Sequence, residues 1–166
     1  MIFTVTNSYD HSADDVLKVL TDFECVCSKY EALGQSSVEL VQRDKSDDGA
    51  IVMVTRRVVP LDLPGFAKRV LSPKQTVTQT DTWSAPDAKG SRTGTFAVES
   101  KGAPVRVSGT LVLATKGAQR CTNTTTVTIE CKVPLIGGKI ADFVGTNAHG
   151  AVDHEQKWIS AYLAQQ

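Results

Sequence analysis

From Ser37 to Val133 the chain repeats one design six times: residues that alternate between apolar and polar, then a connection that breaks the alternation. The alternating stretches are Val38 to Arg43, Ala50 to Val59, Thr76 to Ser84, Thr93 to Glu99, Val105 to Ala114 and Thr122 to Val133. Most of the connections are short and rich in glycine, proline and aspartate: "KSDDG", "APDAKG", "SKGAP" and "TKGAQ". Alternation puts successive side chains on opposite faces of an extended strand, and the connections have hairpin-turn chemistry. Strands joined so tightly pair antiparallel with their neighbours. The result is a meander with one apolar face, which something else in the chain must cover.

The two ends of the chain supply the cover. Near the start, a strand at Ile2 to Thr6 is followed by Ser12 and, three residues on, Asp15, a helix-start pattern. A helix is expected from Ala13 to Asp22, with Val16, Val19, Leu20 and Phe23 on one face. A second short helix follows from Glu24 to Leu33 and stops at Gly34. At the far end, "VPLIGGKIADFVGTNAHGAVDHEQKWISAYL" reads as one long helix entered through the paired glycines 137 and 138. Placed on a helical wheel, Ile140, Phe143, Val144, Asn147, Ala148, Ala151, Glu155, Trp158, Ile159 and Tyr162 form one stripe. A chain of 166 residues with no linker or internal repeat fits one domain spanning 1–166.

The connection "VPLDLPGFAKRVLSP" departs from the pattern, because a tight turn would suffice there. A short amphipathic helix from Gly65 to Leu71 is expected, either plugging one end of the sheet or forming a mobile flap. Its apolar residues beside Lys68, Arg69 and Lys74 suit transient contact of Pro60 to Pro73 with an anionic membrane surface.

Eighteen basic and eighteen acidic side chains give a formal net charge of +0, and aromatics are few, which disfavours nucleic acid as a partner. No stretch approaches the roughly 20 apolar residues of a membrane span, and the start lacks a basic leader, so a soluble, cytoplasmic protein is expected. Cys25 and Cys27 diverge on a helix, while Cys121 and Cys131 lie roughly 33 Å apart on one strand, so reduced thiols are expected. There is no phosphate-cradling loop, cofactor fingerprint or serine elbow, so no cofactor is expected. In "HGAVDHE" the spacing is not that of a zinc helix, and His149 and Asp153 fall on the outer face, so no metal site is assigned.

The succession "ADDVLKVLTD", "EALG", "VTRRVVPLDLPGFAKRVL", "DTWSA", "GAPVRVSGTLVL" and "VPLIGGKIADFV" resembles the DUF2505 family of START-like proteins. These belong to the Bet v 1-like (SRPBCC) superfamily. The resemblance implies an α+β helix-grip fold: a curved seven-stranded antiparallel sheet, two short helices and a long C-terminal helix. It also implies a cavity between sheet and helix for an apolar small molecule or lipid. Ala141 stands where the family pattern calls for an acid, with Asp142 following.

The residues themselves outline such a cavity. Val127 and Ile129 share the apolar parity of the last strand, and Leu111 lies on the apolar face of its neighbour, which Gly109 interrupts. That glycine marks either a bend in the sheet or close approach of the helix. Val77 and Trp83 share a face with Gln79 and Asp81, continued by Phe96 and Val98. Gly145, Ala148, Gly150 and Ala151 leave room along the helix. Glu155 falls within the apolar stripe, where a carboxylate requires water, a ligand or a buried cation, with Arg56 or Arg57 as the candidates.

The expected function is binding of a hydrophobic or amphipathic small molecule or lipid. The expected walls are Trp83, Phe96, Leu111, Val127, Ile129 and Phe143, with Asn147 and Glu155 orienting a polar end and Phe66 and Val70 at the entrance. The alternatives are a cyclase- or hydrolase-like enzyme using Glu155 as general acid or base, and a chaperone-like partner-binding module whose cavity is filled by its own side chains.

Overall fold

The computed structural model describes residues 1–166. Strand β1 (Ile2–Tyr9) leads into helices α1 (Ala13–Thr21) and α2 (Phe23–Ala32). Six strands follow: β2 (Ser36–Lys45), β3 (Ile51–Pro60), β4 (Lys74–Trp83), β5 (Arg92–Ser100), β6 (Val105–Gly117) and β7 (Arg120–Cys131). Helix α3 (Gly137–Ala164) closes the chain. The sheet runs β1-β7-β6-β5-β4-β3-β2, antiparallel at every pairing, so the strand from the start of the chain completes the meander beside β7. This is the curved seven-stranded α+β helix-grip architecture expected from the sequence.

Local chemistry sets the element ends. The Ser12 hydroxyl accepts from the Asp15 amide at 3.1 Å and starts α1. Asp22 serves both short helices: its amide donates to the Lys18 carbonyl at 2.8 Å, and its carboxylate accepts from the Cys25 amide at 3.1 Å. One residue thus ends α1 and caps α2, which fixes the angle between them. Gly34, at φ +80, terminates α2 as its position predicts, in a conformation that costs glycine little.

Helix α3 rests on β7 and β1 and also touches α1 and α2. Two apolar clusters hold the ends of the assembly. At one end Val16 and Leu17 of α1, Trp83, Leu113, Ile159 and Leu163 are buried together. At the other, Ala67, Leu71 and Ile140 join the β3–β4 connection to the first turns of α3. Burial of side chains this size contributes about 1.5–3 kcal/mol each.

The expected helix from Gly65 to Leu71 is a single 3₁₀ turn, Gly65–Ala67, followed by a hydrogen-bonded turn in which the Val70 and Leu71 amides donate to the Ala67 carbonyl. Pro64 precedes the 3₁₀ turn without a side-chain cap, its first residue is the poor helix former Gly65, and the helical hydrogen bonds of the segment end with those from Val70 and Leu71. Ala67 and Leu71 still face inward, whereas Phe66 is 40% exposed.

Candidate functional site

Between α3 and the concave face of the sheet lies a cavity of about 300 Å³. Twenty-two of its 35 lining residues are hydrophobic, so its walls favour apolar matter and its polar groups are few enough to be assigned individually. Trp83, Phe96, Leu111 and Val127 line it from the sheet, and Asn147 and Glu155 from the helix. Asn147 is exposed, with its side-chain amide donating to the Phe143 carbonyl at 2.9 Å, which places it at the margin.

Four residues expected at the cavity lie elsewhere. Ile129 is 1% exposed and packs with Val127 and Ala141, because the first half of α3 lies directly on that end of β7. Phe143 and Val70 pack into the cluster around Leu71 and Ile140. Phe66 meets Phe143, Lys139 and Asp142 in a shallow groove on the outside of the helix. The cavity is closed at this end by Leu61 and Leu71 instead.

The expected stripe of α3 faces inward: Ile140 and Ile159 are buried, and Val144, Asn147, Ala148, Ala151 and Glu155 line the cavity, while burial extends past one edge of the stripe to Ala141, Gly145 and Leu163. Of the small residues read as leaving room, Ala148 and Ala151 line the cavity, but Gly145 is covered by Met1 and Ile129. At Gly109 the close approach comes from the neighbouring strands and not from the helix: a β-carbon there would stand 1.9 Å from the Thr126 carbonyl of β7. The Phe96 ring of the paired strand lies across it, and a β-carbon there would stand 2.6 Å from that ring. Glycine is what lets Phe96 lie flat against the sheet as a cavity wall. Gly137, the first of the paired glycines, is buried where the start of α3 abuts the Cys131 carbonyl, and a β-carbon would come within 2.5 Å of it.

One wall of the cavity is polar. Lys29 of α2 donates to Glu155, and the lysine side chain is only 4% exposed against 29% for the glutamate. Burial alone would pull Lys29 down, but attraction from Glu155, Tyr30 and Asp81 outweighs it and holds the ammonium above its ordinary value. The expected cation for Glu155 was an arginine; the partner is this lysine. Arg56 faces outward to Glu39 at 3.5 Å, while Arg57 is the inward member of the pair, 7% exposed.

Arg57 donates from Nε to Gln35 at 2.5 Å and from Nη2 to Gln79 at 2.9 Å, and its guanidinium lies 3.8 Å from the centre of the Tyr30 ring. Gln79 also accepts from the Tyr30 hydroxyl at 3.3 Å and donates to both Asp81 oxygens at 2.9 and 3.1 Å. Burial pushes Asp81 up from its ordinary value, against the pull of Gln79 and Lys29. Near the closed end, Ser100 donates to Gln75, which donates in turn to the Ser72 carbonyl at 2.7 Å. That relay fastens the β3–β4 connection to the sheet.

The sequence reading missed Lys29, Tyr30 and Gln35. A signal for the first was present. Val26, Lys29, Tyr30 and Leu33 recur at three- and four-residue spacing, so a lysine occupies an apolar face just as Glu155 does on α3. Two opposite charges on two apolar faces are candidates for each other.

A family model described as "Protein of unknown function (DUF2505)" matches residues 4–163. The uncharacterized protein Rv0481c of Mycobacterium tuberculosis is 33% identical over 124 residues, 72% of this chain and 70% of that one. Among solved structures, the Zhui aromatase/cyclase from Streptomyces sp. R1128 aligns with TM-score 0.65 at 14% identity, covering 98% of this chain and 92% of that one. A START superfamily protein from Mycobacterium smegmatis aligns with TM-score 0.56 at 13% identity, covering 99% and 97%. At these identities the two structural likenesses concern the fold.

Proposed function

This chain belongs to the DUF2505 family and has a START-like helix-grip fold, and on that premise we propose that it binds a hydrophobic or amphipathic small molecule or lipid between its sheet and α3. The observation that carries the reading is the cavity itself. About 300 Å³ is bounded by mostly apolar walls, into which Lys29 with Glu155, and Arg57 with Gln35, Gln79 and Asp81, bring a limited set of polar groups. That is the general form of a small-molecule site. An interior already filled by its own side chains would leave no such space, which weighs against the partner-binding alternative.

The proposed protein is a single-domain cytoplasmic carrier or sensor. No helix is long and apolar enough to cross a membrane. The β3–β4 connection, with Phe66 exposed beside Lys68 and Arg69, suits brief contact with an anionic membrane during loading. Catalysis is the second reading, and the likeness to an aromatase/cyclase keeps it in view. Its best acid–base candidate is Asp81, the lining carboxyl that burial drives toward the protonated form, since Glu155 is engaged by Lys29.

The test is fluorescence titration with Nile red, a neutral apolar dye. Saturable binding is expected, together with at least about tenfold weakening in Leu111→Trp, which would occupy the cavity. Absence of saturable binding would count against a ligand site.

A further inference from the structure

We infer that the molecule accepted by this cavity carries a single carboxylate and that Arg57 receives it. The inference rests on the proposed ligand-binding reading and names the ligand's chemical class.

Arg57 lines the cavity and is 7% exposed. Its protein partners are all neutral: two glutamine side-chain oxygens and the face of Tyr30. No carboxylate lies within 4.0 Å of it, whereas Lys29, the other buried cation of the cavity, has Glu155. Nη1 of Arg57 is buried and has no hydrogen-bond partner at all. A guanidinium cannot lose its proton in a protein, so the charge stays where the fold puts it. Leaving a donor of a buried charged group unmet is costly, and such a group calls for an explanation.

The other charged groups of the cavity point the same way. Four charged side chains line it: Lys29, Arg57, Asp81 and Glu155. Lys29 and Glu155 meet each other, and both oxygens of Asp81 accept from Gln79, which leaves Arg57 as the one with an unmet buried donor. A carboxylate oxygen suits the unpartnered Nη1 as a charge-assisted acceptor. A phosphate monoester carries more charge than one guanidinium can offset, and Lys29 is already committed.

The rest of the site dictates the rest of the ligand. Phe96 and Val98 of β5, Val107 of β6 and Val127 of β7 continue the cavity across the sheet from Arg57 as apolar wall. A volume of about 300 Å³ is at the small end of ligand pockets, which run from roughly 300 to 1,000 Å³. An acid with one acyl chain or a compact ring system fits; a two-chain lipid does not.

Calorimetric titration of the full chain at pH 7.5 with octanoate, 1-octanol and octyl phosphate tests this. Octanoate is expected to bind at least about tenfold more tightly than 1-octanol and more tightly than octyl phosphate, as one charge-assisted hydrogen bond would require. Arg57→Gln should bring octanoate to within about twofold of 1-octanol, the acid losing more affinity than the alcohol. If near-ultraviolet circular dichroism shows that R57Q is misfolded, R57K keeps the charge without the planar fork and should weaken octanoate more than 1-octanol. The wild-type ranking stands without any variant. Equal affinity for octanoate and 1-octanol would overturn the carboxylate assignment and leave the apolar site intact. Preference for octyl phosphate would overturn it in favour of a phosphate. Failure of all three to bind would overturn the ligand-binding reading along with it.

Discussion

Lys29 of α2 and Glu155 of α3 meet 126 residues apart in sequence, each projecting from an otherwise apolar helix face. The pair joins the short helices to the long one across the rim of the cavity. Glu155→Gln would strand a buried ammonium, so it is expected to lower the unfolding free energy by about 2–3 kcal/mol, less than the ~3–5 of a fully buried pair because water reaches Glu155. The double variant Lys29→Met/Glu155→Leu removes both charges and should lie within about 1 kcal/mol of the wild type. Urea denaturation of the three proteins decides; a neutral E155Q would mean the pair carries no structural weight.

Asp81 gives a pH signature. Its pKa is raised by burial, so between the ordinary value of 3.8 and the folded one the native state holds more protons than the unfolded state. Its contribution to stability therefore falls as pH rises through that window. Asp81→Asn keeps an acceptor for Gln79 and removes the charge. It is expected to stabilise the protein at pH 7 and to have a smaller effect at pH 3, flattening this part of the stability profile. An unchanged profile between those pH values would contradict the assignment.

Phe143 serves the β3–β4 connection and not the cavity wall. It packs outside the cavity in the cluster that fastens the β3–β4 connection to α3. Phe143→Ala is expected to cost about 1–2 kcal/mol, below the ~3–5 of a fully buried phenylalanine. Nile red affinity should stay within about twofold of wild type. A large loss of dye binding without loss of stability would put Phe143 back at the ligand.

The glycines make a matched pair of opposite sign. Gly109→Ala would set a β-carbon 1.9 Å from the Thr126 carbonyl and against the Phe96 ring, at an expected cost of about 1–3 kcal/mol. Gly150 lies in the interior of α3 with nothing within 4 Å of a β-carbon, so Gly150→Ala should add about 0.5–1 kcal/mol. Thermal denaturation of both variants checks the sign of each.

The strand count, the hairpins and the two short helices were legible because each depends on nearby residues. Ser12 and Asp15 start a helix wherever they occur, Gly34 ends one, and alternation from Thr122 to Ile129 allows a single face to be buried. The inward stripe of α3 was legible from periodicity, but the deeper burial along its Gly145 edge was not, because it depends on Met1 and Ile129 meeting Gly145, a contact made only after the sheet closes. The partner of Glu155 was hidden for the same reason, since it depends on where α2 crosses α3. The helix expected at Gly65 to Leu71 failed at its start: its apolar spacing was sound, but Pro64 gives no side-chain cap and Gly65 is a poor helix former, so only a 3₁₀ turn forms there. For Arg57 the sequence limited the inward cation to one of two adjacent arginines, and the register of β3 decided which.

Native mass spectrometry of gently purified protein, followed by extraction and identification of whatever is released, tests the ligand-binding claim most directly. The predicted result is one small adduct per chain, released as an apolar carboxylic acid and weakened in Leu111→Trp. A bare chain mass that stays unchanged after incubation with fatty acids and aromatic acids would contradict it.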